Sequence, residues 1–262
     1  MINPELSIII VSWNVKELLK GCLQSIFKFQ NNLALEVIVV DNASSDSTVE
    51  MIKKEFPNVK VIANTNNLGF AAANNQGIKE STGEYLLILN PDTKIIKDSL
   101  KKMLDFIKQN NQVGIAGFKH VNPDFTLQPS VRRFPNFWPL FFILTKIYKI
   151  FPKLPAVEDY FAKDLDYKIP QPVDQVAGSC MLIRKKVLEQ IGLFDEKFFI
   201  WFEEVDLCKR AKSAGLEVWY TPIAEIIHYG GQSFNQKLTW EKQKLFFQSA
   251  CYYFKKHGFL KK

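Results

Sequence analysis

Residues 6–13, LSIIIVSW, form an unbroken apolar run that stops at polar residues, and the recurrence of that pattern along the chain decides the fold. EVIVVD at 36–41, KVIAN at 60–64 and EYLLILN at 84–90 repeat it. Between the runs lie helix-period segments: VKELLKGCLQSIFKF, one starting near Asp46, and one from about Gly69 to Lys79. Short runs apolar on both faces and separated by helices predict a parallel sheet covered on both sides, a doubly wound α/β domain. In such sheets ligands bind beyond the carboxyl ends of the strands. Those ends carry Ser12 and Asn14, Asp41 and Asn42, Asn64 to Asn67, and Asn90 with Asp92.

Composition supports a globular reading. The chain has 262 residues, 47% of them apolar and 13% aromatic, enough to bury the core of one large α/β domain or two small ones. A formal charge of +7 favours anionic substrates, nucleic acid or an acidic membrane surface without choosing among them. Cys22, Cys180, Cys208 and Cys251 are widely spaced and form no CxxC pair, which predicts free thiols in a reducing compartment and no zinc site. MINPELSIIIVSW has an acid before its apolar run and no basic leader, so it reads as a first strand rather than a signal peptide. FWPLFFIL at 137–144 is far short of the ~20 residues a membrane span needs. The expectation is a soluble or peripherally attached cytoplasmic protein.

The polar strand ends have two readings. In DNASSDSTVE, Ser45 or Asp46 can cap a helix and Glu50 lies in its first turn, so capping explains Ser44 to Ser47. It does not explain Asp41, a carboxylate at the tip of a buried strand before the cap begins. That group could accept a hydrogen bond from a nucleobase imide N–H. No GxGxxG follows the first strand and no Walker lysine loop is present, which argues against a dinucleotide fold and a phosphoryl-transfer ATPase.

IIIVSWN, VVDNASSD, NLGFAAANNQGI and LLILNPD, taken in order, resemble the nucleotide-sugar half of a family 2 glycosyltransferase with the GT-A fold, in the rhamnosyltransferase-like branch of bacterial polysaccharide enzymes. The segment VAGSCMLIRKKVLEQIGLFDEKFFIWFEEVDLCKRAKSAG and then EIIHYGGQS resemble the catalytic and acceptor-side segments of the same branch, so the likeness runs from about residue 6 to 235. It implies a GT-A (Rossmann-like), mostly parallel sheet flanked by helices in a single domain. Residues 1–119 would bind the nucleotide sugar, 120–236 the acceptor, and 237–262 would form a C-terminal helix and basic tail.

Glycosyl transfer explains why such residues are wanted. A nucleoside diphosphate leaves the anomeric carbon, and its developing charge is commonly offset by a divalent ion. Asp92 closes NPD, where the family in general has D-x-D, and is the candidate ligand for Mg²⁺ or Mn²⁺; NPD alone reads equally as a turn. The resemblance makes His228, in its H-x-G-G-x-S context, a second ligand facing the diphosphate. Ser12, Asn14, Asp41, Asn67, Asn74, Asn90, Asp92 and Gly178 are the donor-side candidates.

FIWFEEVDLCKR at 199–210 holds the candidate base. For a helix beginning near Phe202 and turning about 100° per residue, Glu203, Asp206 and Arg210 share one side, while Glu204 falls in the apolar stripe of Leu207, Cys208 and Ala211. Asp206 and Arg210 have the spacing of an ordinary i, i+4 pair. Glu203 is either solvated or a substrate contact. Burial of Glu204 should raise its pKa toward the range useful for proton abstraction, with the helix dipole limiting the rise. In the family the base is the second acid of an E-D pair, which maps onto Glu204; here the pair is E-E.

Arg132, Arg133, Trp201 and Asp206 are further candidates for contacting the diphosphate or acceptor. The stretch from Phe137 to Ile150, with FPKLP after it, predicts an amphipathic helix with Lys146, Lys149 and Lys153 beside aromatic residues, suited to an anionic membrane interface, core packing or a homodimer. TWEKQKLFFQSACYYFKKHG predicts a final helix ending at Gly258. The expected function is inverting, metal-dependent transfer of rhamnose from dTDP-rhamnose to a cell-surface or lipid-linked glycan, with no nucleic-acid partner. A UDP-hexose or UDP-N-acetylhexosamine donor is the alternative, and a noncatalytic sugar-binding partner subunit is the alternative from another class.

Overall fold

A computed structural model of the chain describes residues 4–30, 32–151, 153–230 and 239–258. The first half alternates as expected: β1 (Leu6–Ser12), α1 (Lys16–Lys28), β2 (Leu35–Asp41), α2 (Thr48–Glu55), β3 (Lys60–Ala63), α3 (Phe70–Lys79) and β4 (Tyr85–Leu89). β5 (Thr93–Ile95), α4 (Ser99–Gln109) and β6 (Val113–Val121) follow. Short pieces come next: β7 (Leu127–Gln128), β8 (Val131–Arg132), α5 (Phe137–Leu144), α6 (Ile147–Ile150), α7 (Pro155–Tyr160), β9 (Gln171–Pro172) and β10 (Gln175–Val176). The chain ends with β11 (Cys180–Arg184), α8 (Lys185–Ile191), α9 (Glu203–Ser213), β12 (Glu217–His228) and α10 (Thr239–His257).

The main sheet runs β3-β2-β1-β4-β11-β6-β12-β5 among the described residues. β1, β2, β3 and β4 are parallel, β11 enters antiparallel between β4 and β6, and β6 pairs parallel with β12. The result is a mostly parallel sheet flanked by helices. The 119/120 division falls inside β6, and β11 and β12 complete a sheet begun by the first half.

The continuous apolar runs follow from burial on both faces. Ile8, Ile10, Leu87 and Leu89 pack on the side that carries α1 and α4. Their alternates Ile9, Leu86 and Ile88 pack on the other, with Ile78 of α3 and Leu207 of α9. A third cluster joins Leu140 of α5, Phe198, Phe202, Val205 of α9, and Ala250, Tyr253 and Phe254 of α10. That cluster locks the C-terminal helix onto the helix bearing the acid pair.

Three local expectations are corrected. Asp46 does not cap its own helix: its Oδ2 accepts from Lys16 N at 2.9 Å, so it serves the first turn of α1, and α2 starts from a left-handed Ser47. The single helix expected over 137–150 is two short ones. Thr145 Oγ1 donates back to Phe141 O at 2.7 Å and Lys146 turns left-handed (φ 59°), which ends α5. α10 ends at Gly258 as read, with φ +83° and its N–H on Phe254 O at 2.8 Å. The third concerns Asp206, described with the site. The residues after Gly230 in the YGGQS run and the basic tail, Lys261 and Lys262, lie outside the described residues.

Candidate active site

The carboxyl ends of β1, β2 and β4, the turn before β11 and the start of α9 surround a cavity of about 550 Å³. Its lining includes Trp13, Asn67, Asn90, Asp92, Gly178, Ser179, Trp201, Glu203, Glu204 and His228. Of the sequence-predicted residues, Asn67, Asn90, Asp92, Gly178, Trp201, Glu203, Glu204 and His228 line it, from both halves of the chain, whereas Ser12, Asn14, Asp41, Asn74, Arg132, Arg133 and Asp206 do not.

On the nucleotide side, Asp41 is buried at the tip of β2 and its Oδ2 accepts from Ser44 N at 2.9 Å. Its Oδ1 is buried without a hydrogen-bond partner. A buried carboxylate oxygen left unsatisfied is costly unless a ligand completes it, and a base N–H is the matching donor. Ser12 Oγ, beside it in the β1–β2 register, is also buried and unsatisfied. Asn14 is turned left-handed (φ 52°) and ties the β1 and β2 loops: its N–H reaches Ser44 Oγ and its Oδ1 accepts from Ser45 N at 2.7 Å. Asn67 lines the cavity and accepts from Gly69 N at 2.9 Å. Asn74 does not line it; buried in α3, it donates to Phe70 O at 2.9 Å.

β-pairing brings Asp92 to His228. The residues after Asp92 form β5, which pairs antiparallel with the end of β12 so that Thr93 faces His228, and Tyr229 N donates to Asp92 O at 2.9 Å. His228 Nε2 then sits 3.4 Å from Asp92 Oδ1, buried but without the alignment of a hydrogen bond. Its other nitrogen, Nδ1, is 2.7 Å from Gln128 Oε1, an atom that can only accept. Gln128 Nε2 in turn donates to Asn122 Oδ1 at 3.0 Å, which fixes the amide's orientation. In the neutral ring the proton is therefore on Nδ1 and the Nε2 lone pair faces Asp92, the arrangement by which outer partners orient a metal-binding histidine. Nothing in TLQPS singled out Gln128; only the β6–β7 hairpin places it there.

Beneath His228 lies His120, its ring centroid 5.6 Å away, buried where burial and the neighbouring imidazole push its pKa down to about 3. Its Nδ1 donates to Phe118 O at 2.9 Å, so Nε2 accepts from Ser179 Oγ at 2.9 Å. Ser179 thus presents only lone pairs to the cavity and can accept from a sugar hydroxyl. Neither residue was read from the sequence, although one of only three histidines on an apolar strand was a usable signal.

The acid pair enters on a strained turn. Trp201 (φ 65°) and Phe202 (φ 69°) are consecutive left-handed bulky residues immediately before α9, a conformation that persists only where the surroundings over-determine it. On one side Phe70 N donates to Phe199 O at 2.7 Å; on the other Ser249 Oγ of α10 donates to Ile200 O at 2.8 Å. Gly69 must be glycine there, since a Cβ would lie 2.4 Å from Phe199 O. Glu203 and Glu204 then face the cavity, each with a buried Oε2 lacking a hydrogen-bond partner. Burial, then the charge of Glu204, pushes the Glu203 carboxyl well above the usual range. Burial likewise raises Glu204, opposed by backbone amides at the helix start and by the Arg132 guanidinium. Two like charges in one dry site favour retention of a proton by the pair. Gly178 faces the stem of Glu204: a Cβ added at 178 would lie 3.5 Å from Glu204 Cβ.

Asp206 makes the i, i+4 pair with Arg210 that its spacing predicted, but it does not reach the cavity as an acceptor or diphosphate contact; it and Glu203 are both buried, and of the two open readings of Glu203 the solvated one is excluded. α10 covers this side of α9, and Asp206 is enclosed by Arg210, Lys256 and His257, away from the cavity. Arg133 is held by Asp159 and Asp164, whereas Arg132 lies close enough to influence Glu204. Lys242 of α10 lines the cavity and was not singled out in advance.

Residues 7–192 match the profile of glycosyl transferase family 2. The chain belongs to glycosyl transferase family 2. It is a glycosyltransferase of the GT-A fold. An N-acetylglucosaminyl-diphospho-decaprenol L-rhamnosyltransferase of Mycobacterium tuberculosis is 29% identical over 212 residues, 76% of this chain and 68% of that one. The low-salt glycan biosynthesis hexosyltransferase Agl10 of Haloferax volcanii is 28% identical, covering 86% of this chain and 67% of its own. The mannosyltransferase PcManGT of Pyrobaculum calidifontis, solved with GDP-Man and Mn²⁺, superposes with a TM-score of 0.64 at 17% identity over 97% of this chain and 65% of that one. The chain thus spans about two thirds of the length of each. Among the described residues no helix is long and apolar enough to cross a membrane.

Proposed function

We propose that the enzyme catalyses inverting transfer of rhamnose from dTDP-rhamnose to a hydroxyl of a lipid-linked or cell-surface glycan. The carrying observation is the pair of buried carboxylates, Glu203 and Glu204, opening with unsatisfied oxygens into the cavity that also holds Asp92 and His228. Glu204 takes the proton of the acceptor hydroxyl as that oxygen attacks the anomeric carbon; the bond from that carbon to the diphosphate oxygen breaks with its electron pair, and the configuration inverts. Burial raises both carboxyls, so the pair titrates as a unit that shares a proton, and Glu204 acts as base from the form in which it is ionised.

Asp92 and His228 fit a divalent cation. The buried, unpartnered Nε2 of His228 lies beside a carboxylate oxygen, and with no cluster of three His, Cys, Asp or Glu among the described residues, phosphate oxygens and water would supply the remaining ligands. Bound there, Mg²⁺ or Mn²⁺ would offset the charge on the departing diphosphate. Asp41 Oδ1 would accept the imide N–H common to thymine and uracil, so a UDP-hexose remains the alternative donor. The rhamnosyl choice is supported by the mycobacterial relative, and the setting proposed is the cytoplasm, where four free cysteines persist.

Glu204→Gln tests the base. Transfer should fall by at least ~10²-fold while donor affinity, read by thermal shift with dTDP and UDP sugars, persists. Turnover near the wild-type level would pass the role to Glu203. Donor binding without transfer or hydrolysis in the wild type would instead support the partner-subunit reading.

A further inference from the structure

α5 and α6 carry an aromatic surface that transfer chemistry does not use. Phe137, Trp138, Phe141 and Phe142 form one contiguous set, with ring centroids 5.4 Å (Phe137 to Trp138), 5.8 Å (Phe137 to Phe141) and 6.0 Å (Trp138 to Phe142) apart. The set is turned outward, Trp138 being 59% exposed, and Ile150 and Phe151 extend it beyond α6 at 74% and 59%. Aromatic side chains gathered in water are a binding surface in search of an apolar partner.

Charge says what kind of partner. No Asp or Glu occurs between Phe125 and Val157, while Lys146, Lys149 and Lys153 fall within that span, all exposed. Several lysines elsewhere have acid partners, as in Lys20 with Glu55, Lys101 with Asp105 and Lys212 with Asp174. These three enter no ion pair among the described residues. A second copy of the chain meeting this face about a two-fold axis would set lysines against lysines. An anionic bilayer instead offers acyl chains for the aromatics and phosphates for the lysines.

We infer that the outer face of α5 and α6 docks on an anionic phospholipid surface. On its inner side, Leu140 and Ile143 pack into the cluster that holds Phe202 and Val205, which flank Glu203 and Glu204. The bilayer then lies about one helix diameter, ~10 Å, from the start of α9, so an acceptor hydroxyl at the lipid surface is within reach of the cavity. The docking deepens the proposed acceptor class but is measured without any sugar present.

The test is flotation of the full chain with vesicles of phosphatidylcholine, alone and mixed with phosphatidylglycerol. Binding is expected only to the mixed vesicles and should weaken with salt. Replacing all three lysines by glutamine (Lys146→Gln, Lys149→Gln, Lys153→Gln) should lower partition ~100-fold, at about fivefold per cation. Trp138→Ser with Phe141→Ser should abolish it. The lysine substitutions touch no core residue, so they hold even if the aromatic variant folds poorly, and retained thermal stabilisation by donor nucleotide in the lysine variant separates docking from transfer. Absence of binding to the mixed vesicles overturns the inference. So does a concentration-dependent dimer in sedimentation that Trp138→Ser dissolves, because the face would then belong to a second copy.

Discussion

Asp206→Asn removes one negative charge from inside the joint between the acid-bearing helix and the C-terminal helix. The side chain is fully buried. Its Oδ2 accepts from Arg210 Nε at 2.8 Å; its Oδ1 lies 2.7 Å from His257 Nε2 and 2.8 Å from Lys256 Nζ. Burial alone would raise the carboxyl's pKa, but hydrogen bonds from His257 and Lys256 and the charge of Arg210 outweigh it and bring the group from 3.8 down to about 2. At 1.36 kcal/mol for each tenfold change in ionisation, that difference corresponds to about 2 kcal/mol of stability. Asparagine keeps the volume, so no cavity forms, but it leaves cations facing an amide, and breaking a buried ion pair costs ~3–5 kcal/mol. A loss of about 2–4 kcal/mol is expected, or a Tm about 5–15 °C lower for a chain of this size. The sign with pH follows from a depressed carboxylate: the stabilisation is complete above the ordinary Asp range and disappears as pH falls through about 2. Thermal or urea unfolding of both proteins between pH 7 and pH 3 is the assay, and the gap should narrow at the acid end. A variant that melts within ~1 °C of the wild type at pH 7, or a gap unchanged down to pH 3, refutes the reasoning.

The remaining predictions concern the cavity. Glu203→Gln removes one of two buried like charges; since a raised carboxylate loses folding stability as pH climbs from the ordinary Glu range to its raised value, the variant should melt higher than wild type at pH 8 and lower the acid limb of the rate profile, and an unchanged Tm and limb would show that the two carboxylates do not interact. Gly69→Ala should destabilise by about 2 kcal/mol, because the position is left-handed and the new Cβ meets Phe199 O, and should depress transfer through the 199–202 turn; unaltered kcat would mean that turn does not set the acid pair. Gln128→Leu frees His228 to flip, so Mn²⁺ affinity measured by calorimetry should fall ~10- to 100-fold, whereas equal affinity would sink the tautomer argument.

What the sequence made legible follows from the range of the interactions involved. β1, β2 and β4 were readable because a strand buried on both faces must be apolar at every position, and their polar ends were readable because parallel sheets put ligands there. Asp92 and His228 were singled out by their motif context, but their meeting depends on β5 pairing back onto β12, a contact no local pattern encodes. Gln128 and Ser179 act by holding histidines, and hydrogen bonds between distant loops leave no periodicity in the chain. The burial of Asp206 was hidden for the same reason, although its pairing with Arg210 was legible from the i, i+4 spacing. Helical geometry put it with Arg210 on the side of α9 away from the apolar stripe, but gave no sign that α10 returns over that face, where Lys256 and His257 supply further compensating charge. A polar stripe on a helix therefore reports the need for polar partners, and water is only one of them.

The E-E pair raises a last question, how a chain with Glu where the resembling family has Asp accommodates the longer side chain at the position proposed as base. The answer lies across the cavity. Residue 178 is glycine, and a Cβ placed there would lie beside the stem of Glu204, 3.5 Å from its Cβ and 3.7 Å from its Cγ. The contact is ordinary van der Waals distance, so alanine would fit without a clash yet would remove the room in which the glutamate stem moves. On the other flank the left-handed Trp201 and Phe202 fix where α9 begins, so the backbone cannot advance to suit a shorter acid. The stem of Glu204 is thus bounded by a bare backbone on one side and a strained turn on the other. On this geometry Glu204→Asp retains the charge but withdraws it from the acceptor, so the conservative change should be nearly as damaging to transfer as the isosteric Glu204→Gln.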